Sequence, residues 1–590
     1  MPAGLLLVVA QVAYRASMLR GSWFQFDDVV FLTRVNGQPL SADLLLEGYG
    51  GHFMPAGFLL TWLFGHTGSL DHTPYAVTLV VMQALASLGM LVLLRSLFGA
   101  RWAILVPLTV YLTCALSVPA FVWWAAGVNQ LPLQIALGWG LAAHVQYLRT
   151  SRLRWLLAGV AVMLVCLTFY EKVLLVYGVI AIVTVGYFTT GRARDRVGQL
   201  WRRHRLGLGV HVLSGVAYLA AYAVYAFNFA DEGAAGYPVV RLGGNLIGRL
   251  AVPGLFGGPI SWEVLTGPFQ VVDPDPLLVF VSWMALLGLV GHVYSRRRRS
   301  LRAWTIPLFF ALGDLLLLGS ARATALGPIV GLEARYVTEV GMAAAIGLAL
   351  ATLELRGADE SAEVRDETPI LLGPEYVVVA TVVVGVLGVL SSQQYATHWR
   401  DDNKTEEFFA NADRTLGTED EPTALVNVSV PMYIMWGYEY PRNTTRYVLR
   451  SYASRMTFPE LRVDSISVVD DTGVVRPAVV LPVTRAQFPA GACTYRATST
   501  SDAVVPMQQP ADGTDWWVRM SYRTDEDAPA AITAGDTTLE AELPAGLHNV
   551  YFHVGNSFDK VEVDLETSGA EPVCVYEMDA GLIAPLEPLS

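Results

Sequence analysis

The chain has 590 residues, of which 53% are hydrophobic and only 16% are charged, and its mean hydropathy is +0.42. A single soluble globule is excluded, because an ordinary soluble domain carries about 25% charged residues. Residues 392–590 hold 30 of the 52 acidic and 14 of the 40 basic side chains, so this tail carries a formal charge of −16 and the remainder +4. The basic residues form no single face, and nucleic-acid binding is therefore not expected.

Apolar runs of about 17 to 22 residues recur before residue 392, and each is long enough to cross a bilayer as a helix. The eleven predicted spans are 3–20, 74–95, 102–119, 131–148, 154–169, 172–189, 207–228, 277–294, 303–319, 338–355 and 374–391. Arginine collects in alternate loops, which predicts a cytoplasmic N-terminus and an external tail in the plasma membrane. A signal peptide is the alternative for residues 1–20, but no small-residue cleavage site follows Arg20, so we expect an uncleaved helix.

The tail after residue 391 divides into two predicted regions. Residues 392–477 mix helical and strand patterns, which predicts a small α/β region. Residues 478–590 contain short alternating segments separated by glycine-rich turns, a pattern typical of a β-sandwich. If this tail lies outside the cytoplasm, Cys493 and Cys574 can form a disulfide between two of its strands.

The most informative polar residues fall in the predicted external loops, because charge is costly within a membrane span. The first of these loops, residues 21–73, contains the adjacent carboxylates Asp27 and Asp28 directly after the first span. A simpler interpretation of such a pair is that it caps a juxtamembrane helix.

Further polar residues lie on the same predicted side of the membrane. They are His52 in the first loop, Glu171 and Lys172 between the fifth and sixth spans, and Arg335 with Tyr336 in the external loop 320–337. Taken singly, His52 is explained as a helix-end histidine, Glu171 with Lys172 as a surface ion pair, and Arg335 as an interfacial anchor. Together they supply the carboxylates, imidazole and cations needed to deprotonate a hydroxyl and to hold a phosphate.

This arrangement resembles the GT-C superfamily of polytopic membrane glycosyltransferases, which includes protein O-mannosyltransferases, aminoarabinose transferases and actinobacterial arabinosyltransferases. The resemblance covers roughly residues 1–400 and depends on three features. They are the acidic pair Asp27-Asp28, the His-x-x-Pro stretch that begins at His52, and the acidic–basic pair Glu171-Lys172. Arg335-Tyr336 matches the late Arg/Tyr element of the family only loosely.

The resemblance implies transfer of a sugar from a polyprenyl-phosphate-linked donor to a cell-envelope glycan, lipid or protein at the external membrane face. Asp27 or Asp28 is then the general base, and family precedent favours the first of the pair. The leaving phosphate needs a positive partner, for which Lys172, Arg335 with Tyr336, His52 or a divalent cation are the candidates. Such a cation would take Glu171, Asp28 or His52 as ligands, and no other cofactor is expected.

Two further interpretations concern the loops and the tail. The long external loop 229–276 carries aromatic residues that either border the lipid chain of the donor or belong to an interfacial belt. In the sandwich, Trp516 and Trp517 are candidate carbohydrate-stacking residues, but neighbouring strand residues point to opposite faces, so at most one is expected to be exposed. The alternative function is a transporter or a polysaccharide-binding envelope scaffold without catalysis. A transporter should show paired repeats with broken helices, and the sequence shows no such repeat.

Overall fold

The computed structural model describes residues 2–68, 70–225, 239–320, 322–365, 373–401, 403–488, 493–513, 515–565 and 571–586. The chain divides into two compact units, Met1–Asn403 and Lys404–Ser590. Their boundary lies beyond the predicted residue 391, because the last apolar helix continues through polar residues to Asp401. Residues 229–238 of the predicted loop 229–276 lie outside the described residues.

The first unit is helical. Its α-helices are α1 Pro2–Met18, α2 Asp27–Val35, α3 Ala42–Leu46, α4 Pro55–Thr67, α5 Thr73–Phe98, α6 Leu105–Leu112, α7 Val118–Phe121, α8 Trp124–Ile135, α9 Leu141–Thr150, α10 Leu153–Leu167, α11 Leu174–Tyr187, α12 Ala193–Tyr225, α13 Val239–Gly243, α14 Val252–Leu255, α15 Pro276–Arg296, α16 Thr305–Ser320, α17 Arg322–Leu326, α18 Thr338–Thr352 and α19 Pro374–Asp401. β1 Trp262–Thr266 and β2 Phe269–Val272 form a short hairpin. β3 Arg297–Arg298 pairs antiparallel with β4 Glu363–Val364, which lies after α18 in the chain.

Several short helical turns connect these helices. Those of 3-10 type are Trp102–Ile104, Ala115–Ser117, Glu171–Val173, Ser300–Trp304, Pro328–Leu332 and Ala334–Val337, and those of π type are Ala136–Gly140 and Gly244–Ala251. The π turn between α8 and α9 follows Pro132, which lies inside α8 and cannot donate a backbone hydrogen bond. One predicted span, residues 131–148, is therefore a helix with an irregular centre.

Six helical segments of the described residues are long and apolar enough to cross a membrane, namely those that contain α5, α12, α15, α16, α18 and α19. The segments Trp102–Leu112 and Ala115–Phe121, bent by 48°, make a seventh if they form one span. The prediction of a polytopic helical membrane protein with a β-rich C-terminal unit is thus confirmed. Eleven spans remain a prediction, because α1, α10 and α11 have only 17, 15 and 14 residues.

Close glycine contacts hold the centre of the helical unit. A Cβ atom at Gly138, in the π turn, would lie 2.8 Å from the backbone carbon of Gly89 in α5. The two backbones therefore approach each other directly, which only residues without a side chain allow. This packing holds the C-terminal end of α8 against α5, and the opposite end of α8 contributes to the candidate site.

The second unit is built mainly from strands. Its elements are α20 Lys404–Thr415, α21 Thr445–Val448, β5 Thr423–Ala424, β6 Met456–Thr457, β7 Leu461–Val463, β8 Ile466–Val469, β9 Val475–Arg485, β10 Tyr495–Ala497, β11 Ala503–Ala511, β12 Trp516–Thr524, β13 Ala528–Ala534, β14 Thr537–Leu543, β15 Gly546–Val554, β16 Phe558–Leu565 and β17 Val573–Pro585, with 3-10 turns at Gly437–Glu439 and Arg450–Arg455.

Two antiparallel sheets pack over a shared core in this unit. One has the order β7-β15-β12-β17-β9-β8, with β10 beside β17, and the other has the order β11-β16-β13-β14. The first sheet crosses the predicted boundary at residue 477, because β7 and β8 pair with strands of the sandwich. Cys493 and Cys574, the pair indicated by the sequence, form a disulfide with their Cα atoms 5.5 Å apart.

The two tryptophans proposed for carbohydrate stacking are not open platforms. Trp517 is 7% exposed and packs on the outer side of the larger sheet with Val426 and Tyr551. Trp516 is partly buried against the core between the two sheets. The two side chains do point to opposite faces, but other parts of this unit cover them, which the strand pattern alone does not reveal. We therefore do not propose sugar binding at this pair.

Candidate active site

The acidic pair lies at the start of α2, and its two members have different surroundings. Phe26 precedes the helix with a φ of 46°, and this unusual backbone conformation turns the chain sharply before Asp27. The Asp28 side chain is 1% exposed, whereas the Asp27 carboxylate is 23% exposed. Only Asp27 is therefore accessible to a substrate.

Asp28 is engaged by backbone amides. Its Oδ2 accepts a hydrogen bond from the Gln25 amide at 3.1 Å, and its Oδ1 accepts one from the Ala125 amide at 2.7 Å. Ala125 lies in the first turn of α8, so Asp28 caps a second helix in addition to its own. Burial raises the pKa of the Asp28 carboxyl well above its usual range, although these two amides oppose the shift. Asp28 thus joins two helices rather than facing a substrate.

Asp27 contacts a cation and a phenol. Its Oδ2 lies 3.8 Å from a guanidinium nitrogen of Arg335, and its Oδ1 accepts a hydrogen bond from the Tyr49 hydroxyl at 3.3 Å. Tyr49 is joined to His52 by two backbone hydrogen bonds of 2.8 and 3.0 Å. The His52 Nδ1 in turn lies 2.7 Å from the Glu171 carboxylate. The loop between α1 and α5 thereby connects Asp27 with the segment that contains Glu171.

The guanidinium of Arg335 is held by one carboxylate and several aromatic rings. Its Nε donates to Glu333 Oε2 at 2.8 Å, and a terminal nitrogen donates to the Tyr336 hydroxyl at 3.1 Å. The guanidinium carbon lies 4.5 Å from the centre of the Trp123 ring and 5.6 Å from that of Phe269. Such rings attract a cation and fix its orientation. The side chain is still 20% exposed, so a ligand can reach it.

Glu333 lies beside this cation in a buried position. Its side chain is 8% exposed, and burial raises the pKa of its carboxyl, while the charge of Arg335 opposes the shift. We call the group of Asp27, Glu333 and Arg335 the open cluster.

Lys172 has a different environment from the one expected of a phosphate ligand. Its side chain is 5% exposed and forms ion pairs with Asp314 at 2.6 Å and with Glu339, which are 1% and 0% exposed. Its ammonium also donates to the Tyr336 carbonyl at 2.8 Å. We call Lys172, Asp314 and Glu339 the closed cluster. With these partners Lys172 is occupied, so the sequence-based role in donor binding is not supported by its contacts.

The two clusters meet at the 3-10 turn Ala334–Val337. Lys172 binds the carbonyl of Tyr336, and Gln130 Nε2 donates to the carbonyl of Arg335 at 3.0 Å. Gln130 also accepts a hydrogen bond from the Thr338 hydroxyl at 2.8 Å. The backbone that carries Arg335 is therefore fixed from α8, α18 and the turn before α11.

The contacts complete a ring around the site. Asp27 leads through Tyr49 and His52 to Glu171, whose neighbour Lys172 binds the residue beside Arg335, and Arg335 returns to Asp27. All of the site residues expected in the membrane part of the chain, apart from Asp28, take part in it. Sequence reasoning missed Tyr49, Trp123, Gln130 and Glu339. Only Glu339 had a usable signal, because it is a carboxylate within an otherwise apolar helix.

The residues proposed for a divalent cation do not fit one. Both oxygens of Asp28 accept backbone hydrogen bonds, and His52 and Glu171 pair with each other. Within the described ranges, no group of three or more His, Cys, Asp or Glu side chains is arranged to hold a metal ion. No step below is therefore routed through a metal.

No protein-family model matches the sequence, and a search of curated proteins found no match. Among solved structures, the chain is similar to apo ArnT from Cupriavidus metallidurans, with 15% identity over 79% of this chain and 93% of that chain and a TM-score of 0.43. It is also similar to the arabinofuranosyltransferase AftD from Mycobacteria, with 10% identity, 99% and 60% coverage and a TM-score of 0.41.

A further similar structure is the arabinosyltransferase EmbB from Mycobacterium smegmatis, with 10% identity over 99% of this chain and 65% of that chain and a TM-score of 0.34. ArnT from Cupriavidus metallidurans has also been solved bound to undecaprenyl phosphate. All three proteins are GT-C glycosyltransferases, the superfamily that the sequence resembles. Because none of these TM-scores reaches one half, the function proposed below rests on the residues of the site.

Proposed function

We propose that this protein is a glycosyltransferase that moves a sugar from a polyprenyl-phosphate-linked donor to a hydroxyl of a cell-envelope acceptor at the external membrane face. The observation that carries the proposal is the pairing of an accessible carboxylate, Asp27, with an accessible guanidinium, Arg335, at 3.8 Å. A base and an anion-binding cation are the two groups that this reaction requires.

Asp27 is the general base. It removes the proton of the acceptor hydroxyl as the hydroxyl oxygen bonds to the anomeric carbon of the sugar. The bond between that carbon and the phosphate oxygen breaks, and its electron pair leaves with the polyprenyl phosphate. Asp28 does not take this role, because it is buried and both of its oxygens accept hydrogen bonds from backbone amides.

Arg335 binds the donor phosphate and stabilises the charge that develops on it. Its guanidinium can exchange the long contact to Asp27 for a phosphate oxygen and keep the 2.8 Å bond to Glu333. The Tyr336 hydroxyl, which accepts from Arg335, still has its own proton to donate to the phosphate. Charge stabilisation of this kind lowers the barrier most where solvent is partly excluded.

The proposal is tested in cells that express the wild-type protein, Asp27→Asn or the control Asp43→Asn. Asp43 lies in the same loop but is exposed at the start of α3, so its variant makes the same change of charge outside the site. Mass spectrometry of extracted lipids should show that polyprenyl-phosphate sugars accumulate with Asp27→Asn alone, and that an envelope glycan loses the sugar. Unchanged lipid and glycan pools, at equal protein abundance, would refute the proposal and favour a non-catalytic envelope protein.

A further inference from the structure

A cavity of about 420 Å³ lies between α9, α11 and α12, apart from the candidate active site. Its volume falls in the range of small-molecule sites in proteins, about 300 to 1,000 Å³. The lining is mainly aliphatic and aromatic, with contributions such as Tyr147, Leu174, Ile180 and Leu208. Because α12 is also one of the apolar candidate spans, the cavity lies at membrane depth.

Gly215 keeps this cavity open. It lines the cavity, and a Cβ atom added there would meet nothing within 4 Å. Most of α12 is exposed in the isolated chain, as expected of a helix that faces lipid. An apolar chain from the bilayer can therefore enter beside α12 without displacing packed side chains.

Three polar side chains on the inner wall of the cavity form a series of hydrogen bonds. The His144 Nε2 lies 2.9 Å from the Thr184 hydroxyl, and its Nδ1 lies 3.2 Å from the His211 Nε2. His211 is 8% exposed, and its Nδ1 has no hydrogen-bond partner within the part of the chain that the structure describes. The Thr184 hydroxyl donates to the Ile180 carbonyl at 2.7 Å, so His144 Nε2 donates to Thr184 and His211 Nε2 donates to His144. The His211 Nδ1 on the cavity wall is therefore a hydrogen-bond acceptor.

The segment of α12 at one end of the cavity is strongly basic, and its arginines lie beside the cavity lining in sequence without being part of it. α12 has a break in its helical geometry at His204, which lines the cavity together with Leu200. Residues 192–205 contain six arginines and one acidic residue, Asp195. Arg202 and Arg205, on either side of the break, are exposed. A basic cluster at the end of a membrane helix attracts the phosphates of anionic lipids.

We propose that this cavity binds an anionic glycerophospholipid, with its phosphate at Arg202 and Arg205 and an acyl chain between α11 and α12. By the predicted orientation, this lipid belongs to the cytoplasmic leaflet. The end of the cavity at His204 thus lies at the opposite membrane face from the proposed sugar transfer, while its other end, at Leu174, comes close in sequence to Lys172 of the closed cluster. Its occupancy does not depend on that activity.

The full-length protein in detergent tests this proposal by native mass spectrometry with added palmitoyl-oleoyl phosphatidylglycerol. Gly215→Phe fills the cavity and should lower the fraction of protein with bound lipid at least fivefold. Gly209→Phe is the matched control, because a Cβ at Gly209 also meets nothing within 4 Å but the residue does not line the cavity. This control should retain the lipid as the wild type does.

A second variant tests the headgroup without altering the packed region. Arg202→Gln with Arg205→Gln should lower retention of phosphatidylglycerol to the level of phosphatidylcholine with the same chains, and leave phosphatidylcholine unchanged. Equal retention of phosphatidylglycerol by Gly215→Phe and Gly209→Phe would overturn the proposal. So would displacement of all phosphatidylglycerol from the wild type by undecaprenyl phosphate, since the occupant would then be a polyprenyl chain.

Discussion

The open and closed clusters of the helical unit each contain one cation and two carboxylates, but they differ in exposure. In the closed cluster the three side chains of Lys172, Asp314 and Glu339 are at most 5% exposed. In the open cluster Arg335 and Asp27 are 20% and 23% exposed, and only Glu333 is buried. The same charges thus serve two purposes, since buried ions must satisfy each other whereas accessible ions can exchange partners with a substrate.

The largest effect is expected at the closed cluster. Lys172→Met leaves two buried carboxylates without their cation and should lower the free energy of unfolding by about 3 to 5 kcal/mol. Thermal unfolding in detergent measures this loss. Replacing Asp314 and Glu339 with Leu in the same variant should restore much of the melting temperature. If Lys172→Met alone unfolds at the wild-type temperature, the cluster does not have the structural role that its burial indicates.

The second effect separates catalysis from stability at the open cluster. Arg335→Gln removes the cation that we propose binds the donor phosphate, and we expect turnover to fall about 10² to 10³-fold, as for other lost contacts to a developing anion. The melting temperature should change far less than in Lys172→Met, because Arg335 is partly exposed. Arg335→Lys should recover part of the activity, because lysine restores the positive charge but not the planar guanidinium that binds a phosphate with two hydrogen bonds. Sugar transfer to the acceptor, followed by mass spectrometry, provides the measurement.

A smaller effect is expected where the loop between α1 and α5 meets the turn before α11. Glu171→Gln weakens the 2.7 Å contact to His52 but leaves the hydrogen-bonding shape of the side chain. Because this contact positions the loop that holds Tyr49 against Asp27, turnover should fall about tenfold while the Km for the donor stays the same. Steady-state kinetics measure turnover and the Km for the donor separately. A rise in Km alone would instead assign Glu171 to donor binding.

The sequence predicted most members of the ring, but not Tyr49 and not which members are buried by their partners. Asp27 and Asp28 are adjacent and chemically identical, and only the position of α8 makes one of them a cap. Lys172 is a plausible phosphate ligand in the sequence, and its assignment changed because α16 and α18 each place a carboxylate beside it. Periodicity indicates the helices, whereas the partner of a buried charge depends on long-range packing that local patterns do not encode.

The interruption of one predicted membrane span was also not predicted from the sequence. The apolar run at 131–148 predicts one span, but Pro132 and the tight contact of Gly138 with Gly89 produce a π turn within it. In the second unit, strand alternation predicted the sandwich correctly. It placed Trp516 and Trp517 on opposite faces, but it could not show that each face is covered.

The smallest effect concerns Asp28 and the pH dependence of stability. Burial raises the pKa of this carboxyl in the folded protein, so the folded state binds its proton more tightly than the unfolded chain does. This contribution to stability is complete below the unfolded pKa, about 4, and is lost as the pH rises through the folded pKa. Asp28→Asn removes the titrating group and also exchanges one acceptor oxygen for a donor NH₂.

We therefore expect Asp28→Asn to be less stable than the wild type at acidic pH, by about 1 to 2 kcal/mol for the lost acceptor. Groups such as Glu333 titrate in both proteins, so above the unfolded pKa of Asp28 the wild type should lose more stability with rising pH than Asp28→Asn does, and the difference between them should narrow. Melting temperatures measured in one detergent from pH 4 to about 9 provide the comparison. A constant difference across this range would mean that Asp28 is ionised in the folded protein, and that the amides of Gln25 and Ala125 outweigh its burial.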